Sequence, residues 1–183
     1  MRSLAKLAFV CLFVSVCSSC HRNNIPWNKF TSTQGAFSIT MPAPVKVVDK
    51  KGLSIFGKNT PTHISYWEPS SLTIDKFKRF EVSYTDVPAN IGRDSLSMAA
   101  ILDSAIITRR RDFTDKEPLI QNIELNGYPG RAFFFDGGGN TLLNVKVCFA
   151  NDRLYEFMVE SKKNYATNNE VSTFYNSFVS IKQ

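Results

Sequence analysis

The sequence predicts an α+β domain, a central antiparallel β-sheet with helices packed on it. Three observations carry the prediction. Short segments alternate apolar and polar residues with a period of two, as strands with one face in a core do. Two segments place their apolar residues at helical spacing instead. Successive strand-like segments in the second half are joined by short turns rich in Gly, Asn and Asp, which implies antiparallel pairing. The order of strands, helix, meander, helix is that of an antiparallel sheet whose faces helices cover.

Taken in order, Phe37, Ile39 and Met41 alternate with Ser38 and Thr40 until Pro42 and Pro44 stop the run. His63 alternates with Ile64 in a further strand-like stretch, and Phe80, Val82 and Tyr84 alternate with Glu81 and Ser83. Met98, Ile101, Leu102, Ala105 and Ile106 then predict an amphipathic helix from Ser95 to about Arg110, with Asp94 as its N-cap. Strands follow at about 119–125, 131–135, 142–149 and 154–159, separated by Asn126-Gly127, Gly137-Gly138-Gly139-Asn140 and Asn151-Asp152. Near the end, Thr167 to Glu170 fits a capping box, and Val171, Phe174, Tyr175 and Phe178 form one helical stripe.

The first twenty residues read as an address. Arg2 and Lys6 precede an apolar run that ends at Val16, and Ser18 and Ser19 lead to Cys20, the charged, apolar, small-residue order of a secretory signal. The apolar stretch from Leu4 to Val16 is shorter than the roughly 20 residues a membrane-crossing helix needs. Two small residues followed by cysteine resemble the lipobox of bacterial lipoproteins, with Cys17 where that pattern usually has an aliphatic residue. The resemblance implies acylation of Cys20 and cleavage before it; the alternative is an ordinary signal cut after Ser18 or Ser19, leaving a soluble secreted domain. His21 in place of Asp resembles the sorting pattern for release to the outer membrane, facing the periplasm. The organisation expected is a signal over 1–19, a lipid-anchored tether over 20–29 and a single domain over 30–183.

Removing nineteen residues from 183 leaves 164, the size of one domain able to bury close to 70% of its unfolded surface. Loss of Arg2 and Lys6 lowers the basic count from 22 to 20 against 16 acids. This mild excess is mostly interleaved with acids, which speaks against a nucleic-acid partner. Arg109, Arg110 and Arg111 form the one real cluster, at a predicted helix end where the macrodipole favours cations. The cluster reads as a solvated helix end or, alternatively, as a contact for a partner.

Of four cysteines, Cys11 and Cys17 leave with the signal and Cys20 is the lipid site, so Cys148 should be buried and inert on its strand. Without acylation a Cys20–Cys148 disulfide becomes conceivable. Only His21 and His63 are histidines, too few for the common zinc sets, and no Gly-x-Ser-x-Gly elbow accompanies His63. Asp112, Asp115 and Glu117 lack the glycine and spacing of a calcium loop, and no Gly-Lys-Ser/Thr follows the glycine run at 137–139. No cofactor or metal is expected. The glycine run is a hairpin turn whose backbone, at Gly138 above all, would let a partner approach closely. Trp27, Phe30, Tyr66 and Trp67 would make a binding patch if exposed together.

Gly35 to Pro42, Ile123-Glu124-Leu125-Asn126-Gly127-Tyr128-Pro129-Gly130-Arg131, Asn151 to Tyr155 and the stripe from Phe174 to Phe178 together resemble the small bacterial PsbP-like domains. The order and approximate spacing agree from about Phe30 to Ile181, and the Asn-Gly-Tyr-Pro-Gly-Arg stretch is the most specific part. The resemblance implies a PsbP-like α/β/α sandwich. Plant members of that family are non-enzymatic extrinsic subunits of a membrane-bound photosynthetic complex, and many bacterial relatives are lipoproteins or secreted domains of unknown function. It therefore implies accessory or binding work in the cell envelope, with a protein partner preferred to a small ligand, and supplies no catalytic residues. Arg131 has a structural reading, launching the strand after a tight turn, and a functional one, meeting an anionic partner. The other readings open are a small-molecule or metal-binding carrier and a hydrolase built around His63.

Overall fold

Residues 25–51, 54–57, 60–70, 76–110 and 118–182 are described by the structure, a computed structural model. Among the described residues, ten strands and two α-helices follow in the order β1 (Trp27–Ser32), β2 (Phe37–Pro42), β3 (Lys46–Lys50), β4 (Thr62–Trp67), β5 (Phe77–Asp86), α1 (Ser95–Arg110), β6 (Ile120–Leu125), β7 (Tyr128–Asp136), β8 (Thr141–Ala150), β9 (Arg153–Lys162), α2 (Asn169–Asn176) and β10 (Val179–Ser180). The strands form a large sheet ordered β3-β4-β5-β9-β8-β7-β6 and a small one ordered β1-β2-β10, antiparallel throughout.

The meander β6 to β9 closes through the turns read from sequence. Asn126 and Gly127 have φ of 52° and 89°, and Asn151 and Asp152 have 47° and 61°. These left-handed pairs twist in the sense that flanking strands require. Gly130, in the stretch most specific to the PsbP-like resemblance, has a packing reason: a Cβ there would run into the Val147 carbonyl oxygen of the neighbouring strand β8.

Alternation along each strand sends side chains to two cores. Phe80, Val82 and Tyr84 of β5 and Tyr155, Phe157 and Val159 of β9 face Phe37, Ile39 and Met41 of the small sheet and Val171, Phe174 and Phe178 around α2. On the opposite face, Ile101, Leu102, Ala105 and Ile106 of α1 meet Phe133, Phe135, Val145 and Met158. The large sheet therefore lies between α1 on one side and the small sheet with α2 on the other.

Strand predominates, so the expected α+β sandwich fits coarsely: the layer opposite α1 is as much β as α. Trp27 to Lys29, placed in the tether from sequence, belong to β1 and pair with Pro42 to Thr40. The helix α1 spans the residues expected and is capped by Asp94, whose carboxylate accepts from the backbone of Leu96 and Ser97, each at 3.0 Å. For α2 the capping-box reading shifts by one residue. Asn168, not Thr167, is the N-cap, its amide oxygen accepting from the Val171 N–H at 3.1 Å, and Phe178 lies beyond the helix end yet fully buried.

Candidate functional site

The helix α1 lies over β7 and β8 and leaves part of its face of the sheet uncovered. The result is a groove of about 640 Å³ whose floor is the α1-facing side of β4, β5 and β9, apolar at Ile64, Leu154 and Met158 and polar along β5. Ala105, Thr108 and Arg109 of α1 form one wall, and Lys50, Ser54 and Ile55 the other. Along the floor, β5 contributes Arg79, Glu81, Ser83 and Thr85, every second residue of a central strand. Their apolar neighbours Phe80, Val82 and Tyr84 are committed to the opposite core.

Charge alternates along this floor. Glu81 is only 4% exposed. A carboxylate so placed costs several kcal/mol unless it is paired and hydrogen-bonded, and here Arg79 donates to its Oε2 through Nε at 2.6 Å. The Arg109 guanidinium stands 3.9 Å from the other carboxylate oxygen of Glu81 and also donates to Glu156. Arg79 reaches outward to Glu68 as well, with its guanidinium 4.0 Å from the centre of the Tyr66 ring. Glu68, Arg79, Glu81, Arg109 and Glu156 thus form one continuous array. Towards the other end, Thr62 and Thr85 join their hydroxyls at 3.2 Å. The groove offers fixed guanidinium donors and carboxylate and hydroxyl acceptors, the equipment of recognition.

The residues singled out from sequence do not converge here. Arg109 belongs to the groove, where it donates to Glu156 of β9, so of the cluster read as a solvated helix end this one residue is turned onto the sheet. The Arg110 side chain, Arg111 and Cys20 lie outside the described residues. Arg131 donates through Nε to Asp103 of α1 at 3.1 Å, tying the helix to β7. Gly138 sits at φ of 81° in the hairpin between β7 and β8, its N–H donating to the Asp136 carboxylate at 3.0 Å.

The other candidates resolve as follows. Cys148 is fully buried and its thiol is pushed up to about 12 by that burial. His63 bonds Asp49 through Nδ1 at 2.6 Å and stacks on Tyr84 at 4.6 Å, and among the described residues no serine, threonine or cysteine side chain hydrogen-bonds its ring. The condition for an aromatic patch is not met: Trp67 is buried, Trp27 packs edge-on against Phe80, Phe30 packs against Phe37, and Tyr66 lies against Arg79. Among the described residues no three His, Cys, Asp or Glu side chains gather to hold a metal ion, and no helix is long and apolar enough to cross a membrane. Sequence reasoning missed Arg79, Glu81 and Glu156. The available signal was the polar half of the β5 alternation, on a strand with neighbours on both sides.

No family model matches the chain, and no curated protein matches it in sequence. Among solved structures it is similar to the cyanobacterial PsbP (CyanoP) of Synechocystis sp. PCC 6803, with a TM-score of 0.56 over 90% of this chain and 98% of that one, at 12% identity. A protein of unknown function from Pseudomonas aeruginosa, PA94, aligns at a TM-score of 0.40 and 8% identity over 80% of this chain and 90% of that one, too distant to carry an argument. The likeness to CyanoP establishes the fold, which is PsbP-like.

Proposed function

We propose that this chain is a non-enzymatic binding or accessory protein of the bacterial cell envelope, held by acyl chains on Cys20 at the periplasmic face of the outer membrane. Its partner or ligand binds in the groove beside α1. The observation that carries this reading is the groove itself: a concave site with converging charged and hydroxyl groups. Such a site supports the carrier reading, a small molecule or an inserted polar segment, more than the broad protein contact expected from sequence. A larger protein surface draws its own support from Ile107 of α1 and from Leu119 and Ile120 at the start of β6, all exposed.

Two measurements test the reading. The intact mass of membrane-extracted protein should equal residues 20–183 plus acyl chains, and a Cys20→Ala chain should lose the added mass and wash off the membrane in high salt. An unmodified, soluble wild-type chain would remove the tether. For the groove, native mass spectrometry of gently extracted protein should show a bound species that is absent from Thr108→Trp, where an indole on the α1 wall obstructs the site. Identical bound species in wild type and a folded Thr108→Trp chain would rule the groove out.

A further inference from the structure

The described chain begins at one end of the large sheet, and that end is unlike the other. Trp27 pairs with Pro42 and packs on Phe80, while the Pro26 carbonyl accepts from the Ala43 N–H at 3.0 Å. Because neighbouring strands are antiparallel, β4, β7 and β9 finish at this end and β5 and β8 begin there. They bring Lys46, Lys76, Lys78, Lys162 and Lys163 together against Glu68, Asp136 and Glu160. Lys46 and Lys78 keep 56% and 53% of their side chains exposed, and Lys76 stands 5.0 Å over the Tyr165 ring. The far end also carries cations, Lys50, Lys51, Lys182, Arg93 and Arg153 against Asp49, Asp86 and Asp152, and what sets the first end apart is that Ile25, five residues after Cys20, lies there.

We propose that this lysine-bearing end rests on the membrane, its ammonium groups contacting the headgroups of anionic phospholipids. The inference builds on the tether through Cys20. Only His21 to Asn24 separate that cysteine from Ile25, so the gap spans at most roughly 18 Å. A tether this short holds the lysines at high effective concentration beside the headgroups, and each lysine brought near an anionic surface adds to the attraction within a Debye length. Docking there stands the groove upright, with its Arg79 end towards the membrane and its Thr62–Thr85 end away from it.

The test uses the full acylated chain reconstituted into vesicles of phosphatidylcholine alone or with roughly one-third phosphatidylglycerol, lysine acetylation being read by mass spectrometry. Lys76, Lys78 and Lys163 should acetylate at least about threefold more slowly on the anionic vesicles, and high salt should abolish the difference. Lys182, at the far end, should not respond. Equal labelling on both vesicles would overturn the proposal even if Cys20 carries its acyl chains. The unacylated Cys20→Ala chain separates this from failure of the tether: it should co-sediment with anionic vesicles in low salt, and Lys76→Glu with Lys163→Glu should reduce that binding about tenfold or more. No sedimentation of a folded Cys20→Ala chain would also count against the lysine surface.

Discussion

The two faces of the large sheet are built from the same strands and treated in opposite ways. The face towards the small sheet and α2 is sealed by interlocked aromatic rings: Phe157 lies 4.7 Å from Phe178 and Phe80 lies 5.3 Å from Phe174, centre to centre. The face towards α1 is sealed only where β7 and β8 carry Phe133, Phe135 and Val145, and opens where β5 and β9 carry Glu81, Ser83 and Glu156. The helix α1 packs on the apolar part of this face and leaves the charged part uncovered. The larger aromatic cluster thus lies on one side of the sheet, and the charged array is confined to part of the other.

Truncation on the sealed face should have the largest effect. Phe157 has no exposed surface and contacts rings from β9, α2 and the segment after it, which cannot all collapse into the vacated space. Phe157→Ala should destabilise the domain by about 3–5 kcal/mol in urea unfolding. A cost under about 1 kcal/mol would mean that this face is not the rigid one.

On the open face the decisive residue is Glu81. Glu81→Ala removes the carboxylate that Arg79 and Arg109 share and should cost about 3 kcal/mol, close to what breaking a buried pair usually costs. Replacing Glu81, Arg79, Arg109 and Glu156 together with methionine removes the charges that would otherwise be stranded in the groove, leaving only the more exposed Glu68, and should return stability to within about 1 kcal/mol of wild type. Equilibrium unfolding of the two variants checks this. A fourfold variant as unstable as Glu81→Ala would make the array structural, whereas recovery of stability with loss of the bound species would assign it to binding.

This contrast also marks what could be read from sequence. The core of the sealed face was legible, because Phe37, Ile39, Met41, Phe80, Val82 and Tyr84 keep strict period-two order and all are buried. The helix α1 was legible to its ends, because Asp94 and the spacing of Ile101, Leu102, Ala105 and Ile106 agree with each other. The groove was not. Polar residues alternating with apolar ones ordinarily mark a water-facing side, and nothing local in Glu81-Val82-Ser83 says that the polar side is also covered by walls drawn from α1 and from the segment after β3. Likewise β1, with Asn28 and Lys29 between Trp27 and Phe30, lacks alternation and owes its strand form to pairing with β2.

The helices repeat the contrast on a smaller scale. On the sealed face, α2 is capped by a neutral amide, and Asn168→Ala should cost about 1 kcal/mol. The cost should be the same at pH 4 and pH 8 in thermal or urea unfolding, because no titrating group is lost. A strong pH dependence would show that Glu170, in the first turn, carries the cap instead.

On the open face, α1 is capped by a carboxylate. The Ser97 hydroxyl donates to Asp94 Oδ2 at 2.7 Å, and this bond, followed by the backbone N–H of Ser97, holds the carboxyl below its ordinary value of 3.8. A carboxyl with a depressed pKa stabilises the fold in its ionised form. Its contribution is therefore present above the unfolded value near pH 4 and is lost as pH falls through the lower folded value. Asn caps a helix about as well as Asp, so Asp94→Asn removes chiefly the charge and its attraction to the helix dipole. The melting temperatures of wild type and Asp94→Asn should differ slightly at pH 7 and converge in strong acid, where the wild-type carboxyl is also neutral. A gap of constant size from pH 7 down to pH 2 would assign the difference to hydrogen-bond geometry, leaving both faces with caps of the same physical kind.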